Sequence, residues 1–233
     1  MGLRQRFRDF LEGRPTSRNS TQRAPIGVHP TAAMEEEWKE LPEQVDGALK
    51  KLGSAVVSTW EVGASELARG LVGRADEKTL IDRYSDSLVP TLAPFQDLHK
   101  GCSSAMEQAW RAARQADDLR ALTPPLVGLL AQLGDRATAG WAKTTEYLAP
   151  VFALAPDPAA ERDRFLKAGA VLGQACVARE ALLRTQLEKL PDASSLSVGI
   201  NDAFDVWQEA MVRDIEMGVH AAVMPLATAI RRD

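Results

Sequence analysis

The strongest constraint on folding is a run of large residues spaced by fours and threes. Leu41, Val45, Leu49, Leu52, Val56, Trp60, Gly63, Leu67 and Leu71 follow one another at 4-4-3-4-4-3-4-4. That eleven-residue period, about 3.67 residues per turn, keeps a seam on one side of a long helix. A strand would bring a side chain back to the same face every second residue, and no alternating β-branched run occurs anywhere in the chain. The same helical phase resumes in Leu80, Tyr84, Leu88, Leu92, Phe95, Leu98, Cys102, Met106 and Trp110, passing through Pro90 and Pro94. It returns in Leu126, Leu133, Ala137, Trp141 and Leu148, then in Phe165, Gly169, Leu172, Cys176 and Leu183. It ends in Ile200, Phe204, Trp207, Met211, Ile215, Val219, Val223 and Ile230. The chain is therefore all-α.

The punctuation sets the segment lengths. Gly73 followed by Asp76 reads as a helix end and a fresh N-cap, and Ala155-Pro-Asp-Pro158 is the clearest turn. Thr123-Pro-Pro125 and Pro191-Asp-Ala-Ser-Ser195 read as kinks or bends within longer helices. The prediction is three long antiparallel helices, about 34–72, 75–154 and 159–231, the latter two kinked. At 1.5 Å per residue the longer pair reaches on the order of 100 Å. Helices of that length in a three-helix, coiled-coil-like bundle expose more apolar seam than one chain covers, which predicts an elongated dimer.

Ahead of this body stands a different composition. Residues 1–13 (MGLRQRFRDFLEG), wound as a helix, set Leu3, Phe7, Phe10 and Leu11 on one face and Arg4, Arg6 and Arg8 away from it. The segment is too short and too charged to span a bilayer, and it suits the headgroup layer of an anionic membrane. Residues 14–33 are rich in Pro, Ser, Thr and Arg and read as a linker, so the organisation is 1–13, 14–33 and a helical domain over 34–232. Residues 1–24 carry six arginines, including Arg14 and Arg18, against Asp9 and Glu12, a balance of +4. The whole chain is −4, which leaves −8 on the remainder. A basic arm on an acidic body argues against nucleic acid as a partner of the body and concentrates attraction to anionic surfaces in the arm.

Other chemistry is thinly represented. No secretory apolar core is visible, which predicts a cytoplasmic protein, peripheral on membranes. Cys102 and Cys176 fall in apolar helical rows and read as buried thiols. Asn201, Asp205 and Glu209 share a helix face in a pattern similar to the Mg²⁺ motif of terpene synthases. Asp205 stands there where a hydroxyl belongs, and the best candidate for the second acidic cluster, Asp117-Asp118, sits in an ordinary charged stretch. His29, His99 and His220 are scattered, and no phosphate loop or nucleophile elbow is present. Neither an enzyme nor a cofactor is expected.

In its helix lengths and seams, residues 34–231 resemble a BAR domain, especially the sorting-nexin type. The resemblance rests on Gly63-Ala-Ser-Glu-Leu-Ala-Arg-Gly-Leu-Val-Gly73 at the end of the first helix, on Gln96-Asp-Leu-His99, and on Phe204-Asp-Val-Trp-Gln-Glu-Ala-Met-Val-Arg-Asp-Ile215 in the last. An amphipathic N-terminal helix before such a body is similar to the N-BAR arrangement. The resemblance implies a crescent-shaped dimer, with itself or with a related helical protein, that senses or remodels curved anionic membranes. Basic contributors on the body would be Arg162, Arg164 and Lys167 near the turn at 156–160, with Arg111, Arg114, Arg136 and Lys143 as further candidates. The competing expectation is a soluble helical adaptor that binds a protein partner, its N-terminal segment docking as a short helix.

Overall fold

A computed structural model describes residues 28–190, 193 and 195–231, and every regular element among them is helical. Helix α1 spans Ala32–Leu71, α2 Glu77–Asp86 and α3 Leu88–Ala116. A 3₁₀ turn at Leu119–Leu122 leads into α4 (Thr123–Gly128), α5 (Leu133–Tyr147) and the single turn α6 (Ala149–Phe152). Helices α7 (Pro158–Leu187) and α8 (Leu196–Arg231) complete the chain.

The rows of apolar residues read from the sequence are the buried rows. All nine positions from Leu41 to Leu71 are buried along α1, as are Phe165, Gly169, Leu172, Cys176 and Leu183 along α7. What differs is the length of the rods. The chain does not run on as one helix from 75 to 154. Asp117 enters the left-handed region at φ 53°, where its short polar side chain is tolerated, and the helix stops there. Asp118 then caps the next turn, its Oδ1 accepting from the Arg120 N–H at 3.0 Å. Gln132, at φ 71°, starts α5 in the opposite direction. A second reversal at 188–195 separates α7 from α8. The three rods of about 34–72, 75–154 and 159–231 therefore become five limbs, four of about 45–60 Å and the short α5 of about 22 Å.

These limbs close into a ring in the order α1, α8, α7, α5, α3 and back to α1. Neighbours are antiparallel except α1 and α8, which lie parallel and share the most extensive contact. The parallel register is fixed by polar pairs along the whole length. Glu37 accepts from the Ser197 N–H at 3.0 Å, Gln44 accepts from Asn201, and Gln208 accepts from Lys51 Nζ at 3.3 Å. Glu66 accepts from Arg231 at 2.6 Å. The first of these places a carboxylate against the positive end of α8, and the last places a guanidinium at its negative end.

Aromatic side chains fill the core toward the end where α1 stops and α7 starts. Trp60 of α1 stacks on Tyr84 of α2 with centroids 5.0 Å apart, and Trp141 of α5 stacks on Phe165 of α7 at 4.8 Å. Edge contacts of 6.2 and 6.4 Å join Trp60 to Trp141 and Phe165. The indole N–H groups are not orphaned there: Trp60 donates to the Tyr84 carbonyl at 3.0 Å and Trp141 to the Phe165 carbonyl at 2.6 Å. Close crossings of α5 depend on glycine. Pro94 has no N–H to give the Pro90 carbonyl, and α5 comes so near that carbonyl that a Cβ on Gly140 would lie 2.2 Å from its oxygen.

Candidate functional site

The residues expected to contact lipid, Leu3, Arg4, Arg6, Phe7, Arg8, Phe10, Leu11, Arg14 and Arg18, lie outside the described residues. The described chain begins at Val28, at a defined place on the body. The Val28 carbonyl accepts from the Leu119 N–H at 2.9 Å, and His29 Nδ1 lies 2.8 Å from Asp117 Oδ2. Both contacts hold the root of the arm at the end of the ring where α3 stops and α1 starts; we refer to that end as the lower one.

The basic residues expected on the body do not gather in one place, and of them Arg111 and Arg114, in the last turns of α3, lie near that root. Arg162, Arg164 and Lys167 sit in the first turns of α7, at the upper end and about 40 Å of helix away. Arg164 pairs with Glu161 at 2.8 Å and Lys167 with Asp163 at 2.6 Å. Arg111 pairs with Glu107 and Arg114 with Glu35, lower down on α3. Arg136 faces a groove between α3 and α5 that also contains Asp97. There the Lys100 hydrogen bond holds the Asp97 carboxyl below the usual carboxylate range, and the Arg136 charge adds to the effect. Exposed cations that already face carboxylates attract a lipid phosphate only weakly.

The remaining candidate chemistry disperses as well. Asn201 is engaged with Gln44, and Glu209 faces Arg213 at 3.9 Å on the outer side of α8. Among the described residues no group of three His, Cys, Asp or Glu side chains is placed to hold a metal ion. Burial pushes the Cys102 thiol up to about 11 and the Cys176 thiol up to about 12, so both stay protonated at neutral pH. His99 Nδ1 sits 3.6 Å from Asp46, and His220 lies on the far side of the ring beside Glu216. No described helix is long and apolar enough to cross a membrane.

Two surfaces stand out instead, and neither was visible as a site in the sequence. The first is a shallow groove between α1 and α8 lined by Ser58, Thr59, Val62, Glu216, Met217 and His220, where Val62 and Met217 are 53% and 64% exposed. The second is the outer face of α7. This helix is apolar on both sides: Phe165, Gly169, Leu172 and Cys176 face the core, while Ala170, Val171, Val177, Ala178 and Ala181 face outward. Val171 and Val177 are 61% and 62% exposed. The signal was present in the sequence as the absence of a polar face over 168–178. The inward row drew the reading because it continued the seam.

No family model, curated protein or solved structure matches the chain. The BAR resemblance thus rests on sequence pattern alone.

Proposed function

We propose that this chain is a peripheral membrane protein, a helical body held on anionic bilayers by residues 1–13. In the form the BAR resemblance implies, it works as a dimer that senses or remodels curvature. The supporting observation is the division of charge and apolarity: Leu3, Phe7, Phe10 and Leu11 beside arginines in an arm of +4, on a body of −8. The arm's root at the lower end, clamped through Val28 and His29, lets that end face the bilayer. Of the cations expected on the body, Arg162, Arg164 and Lys167 are remote from that root, while Arg111 and Arg114, near it, already face Glu107 and Glu35, so the weight of the reading falls on the arm. Co-sedimentation with vesicles is expected to rise with anionic lipid and fall with salt. Phe7→Glu with Phe10→Glu removes about 1.5–3 kcal/mol of apolar burial at each site, a loss on the order of 100-fold or more in binding. Binding unchanged in that double variant refutes the proposal.

A second reading is the soluble adaptor. It is favoured by the groove that exposes Val62 and Met217 beside Glu216, a surface suited to an amphipathic helix with a basic edge. Indifference to vesicles, together with a protein partner whose affinity drops in Met217→Glu, would establish it in place of the first.

A further inference from the structure

We infer that the outer face of α7 is the surface through which two copies of this chain pair, antiparallel about a two-fold axis beside Gln174. This gives the two-copy part of the proposed function a location, and it rests on observations separate from the arm.

The outer side of α7 carries a second seam. Along α7 the residues Asp163, Lys167, Ala170, Gln174, Val177, Ala181 and Arg184 are all exposed, at spacings of 4-3-4-3-4-3. That is the 3.5-residue repeat by which one helix follows another, and here it runs along the exposed side of α7, with Val177 at its edge beside Gly134 of α5. Its ends are charged, and between them Ala170, Val177 and Ala181 flank a single polar residue, Gln174, at the midpoint. Val171 and Ala178 widen the centre to an apolar stripe of three turns. A helix whose outward face is apolar in the middle has no stabilising reason to be so in an isolated, water-surrounded limb.

The charges identify the occupant. At the upper end Asp163 and Lys167 form one acid–base couple 2.6 Å apart, and at the lower end Glu180 and Arg184 form another at 3.4 Å. Reversing α7 upon itself sets the Asp163 end of one copy against the Arg184 end of the other. The register that superposes the seam places Asp163 against the second copy's Arg184 and Lys167 beside its Glu180. It also sets Ala170 against Val177 and Gln174 against Gln174. A parallel arrangement would oppose Asp163 to Asp163 and Arg184 to Arg184, bringing like charges together. A seam complementary to itself under a two-fold rotation is what an isologous dimer requires. The small residues Ala170 and Ala181 allow close approach. The support beneath is rigid, since α7 crosses α5 so tightly that a Cβ on Gly173 would lie 2.1 Å from Thr138 Oγ1.

The full chain is expected to sediment as a dimer, and Val177→Glu, at an exposed position, to raise the dissociation constant by about tenfold or more without loss of helix content. Cysteine trapping reads the direction. Gln174→Cys should cross-link to itself under mild oxidation. Asp163→Cys and Arg184→Cys chains should cross-link to each other when mixed and not to themselves when alone. A full chain that stays monomeric at about 0.1 mM overturns the inference and leaves the face to another occupant. So does a dimer that persists in Val177→Glu, or one in which Asp163→Cys cross-links to itself. Vesicle binding by a monomeric Val177→Glu chain would leave the lipid role of residues 1–13 standing while the dimer face is judged alone.

Discussion

Gly140→Ala tests how α3 and α5 meet. In a helix interior alanine is favoured over glycine by about 1 kcal/mol, so without a steric obstacle the substitution stabilises. At Gly140 the added methyl carbon would lie 2.2 Å from the Pro90 carbonyl oxygen and 3.2 Å from its carbon. Ordinary contact begins at 3.4 Å, so the two limbs must part by about 1 Å, and both sides of the clash are backbone. Overpacking of this kind costs about 1–3 kcal/mol or more, and the immobility of both partners places it at the upper end. The net expectation is a loss of about 1–2 kcal/mol. Gly47, within α1 and with nothing within 4 Å of where a Cβ would stand, is the matched control. Gly47→Ala is expected to gain up to about 1 kcal/mol. With a urea slope of about 2–3 kcal/mol per molar, the two midpoints should differ by roughly 1 M at unchanged slope. If residues 75–154 formed one rod, Pro90 and Gly140 would stand about 75 Å apart. The two variants would then behave alike, and that result refutes the hairpin.

Three further outcomes follow from the same packing. Glu66 is held below the usual carboxylate range by its hydrogen bond from Arg231, with the Arg69 charge adding to it. Its folded pKa lies below its unfolded one, so the contribution is present at neutral pH and is lost as pH falls through the acid range; in Arg231→Ala the Glu66 carboxyl resonance should titrate at higher pH, and an unmoved midpoint contradicts the link. Cys102 and Cys176, whose burial raises both thiols, should react with a disulfide reagent at pH 8 only after denaturation, and rapid labelling of either in the native protein would refute their placement. Tyr84→Phe removes the hydroxyl that donates to the Trp60 carbonyl at 3.2 Å and should cost about 1 kcal/mol in chemical denaturation; no change would mean the α1–α2 corner is held by stacking alone.

The seams were legible because burial and the helical period act on the same residues. Leu41 to Leu71 and Ile200 to Ile230 could be assigned to the core from spacing alone. The reversals were not, for a local reason. Thr123-Pro-Pro125 and Pro191 interrupt a helix equally whether it bends or turns back, and at the first of them the decision lay in left-handed Asp117 and Gln132, where no glycine announces it. Asp117-Asp118 read as ordinary surface charge although it marks one helix end and caps the next turn. Self-association argued from overlong seams lost its basis once five limbs covered one another, and the outward face of α7 supplies a different one. The basic residues at 162–167 read as a cluster in sequence, but in the fold each of Arg164 and Lys167 faces its own carboxylate.

The arrangement of the limbs is the claim on which the rest depends, and a distance across one hairpin tests it directly. Spin labels at Asp97→Cys on α3 and Arg136→Cys on α5 replace two side chains that face the same groove. Packed neighbouring helices lie 8–10 Å apart, so with two label tethers the separation should fall at about 20 Å or less. One continuous helix from 75 to 154 would hold the labels about 58 Å apart, and a distance near that value contradicts the five-limbed ring.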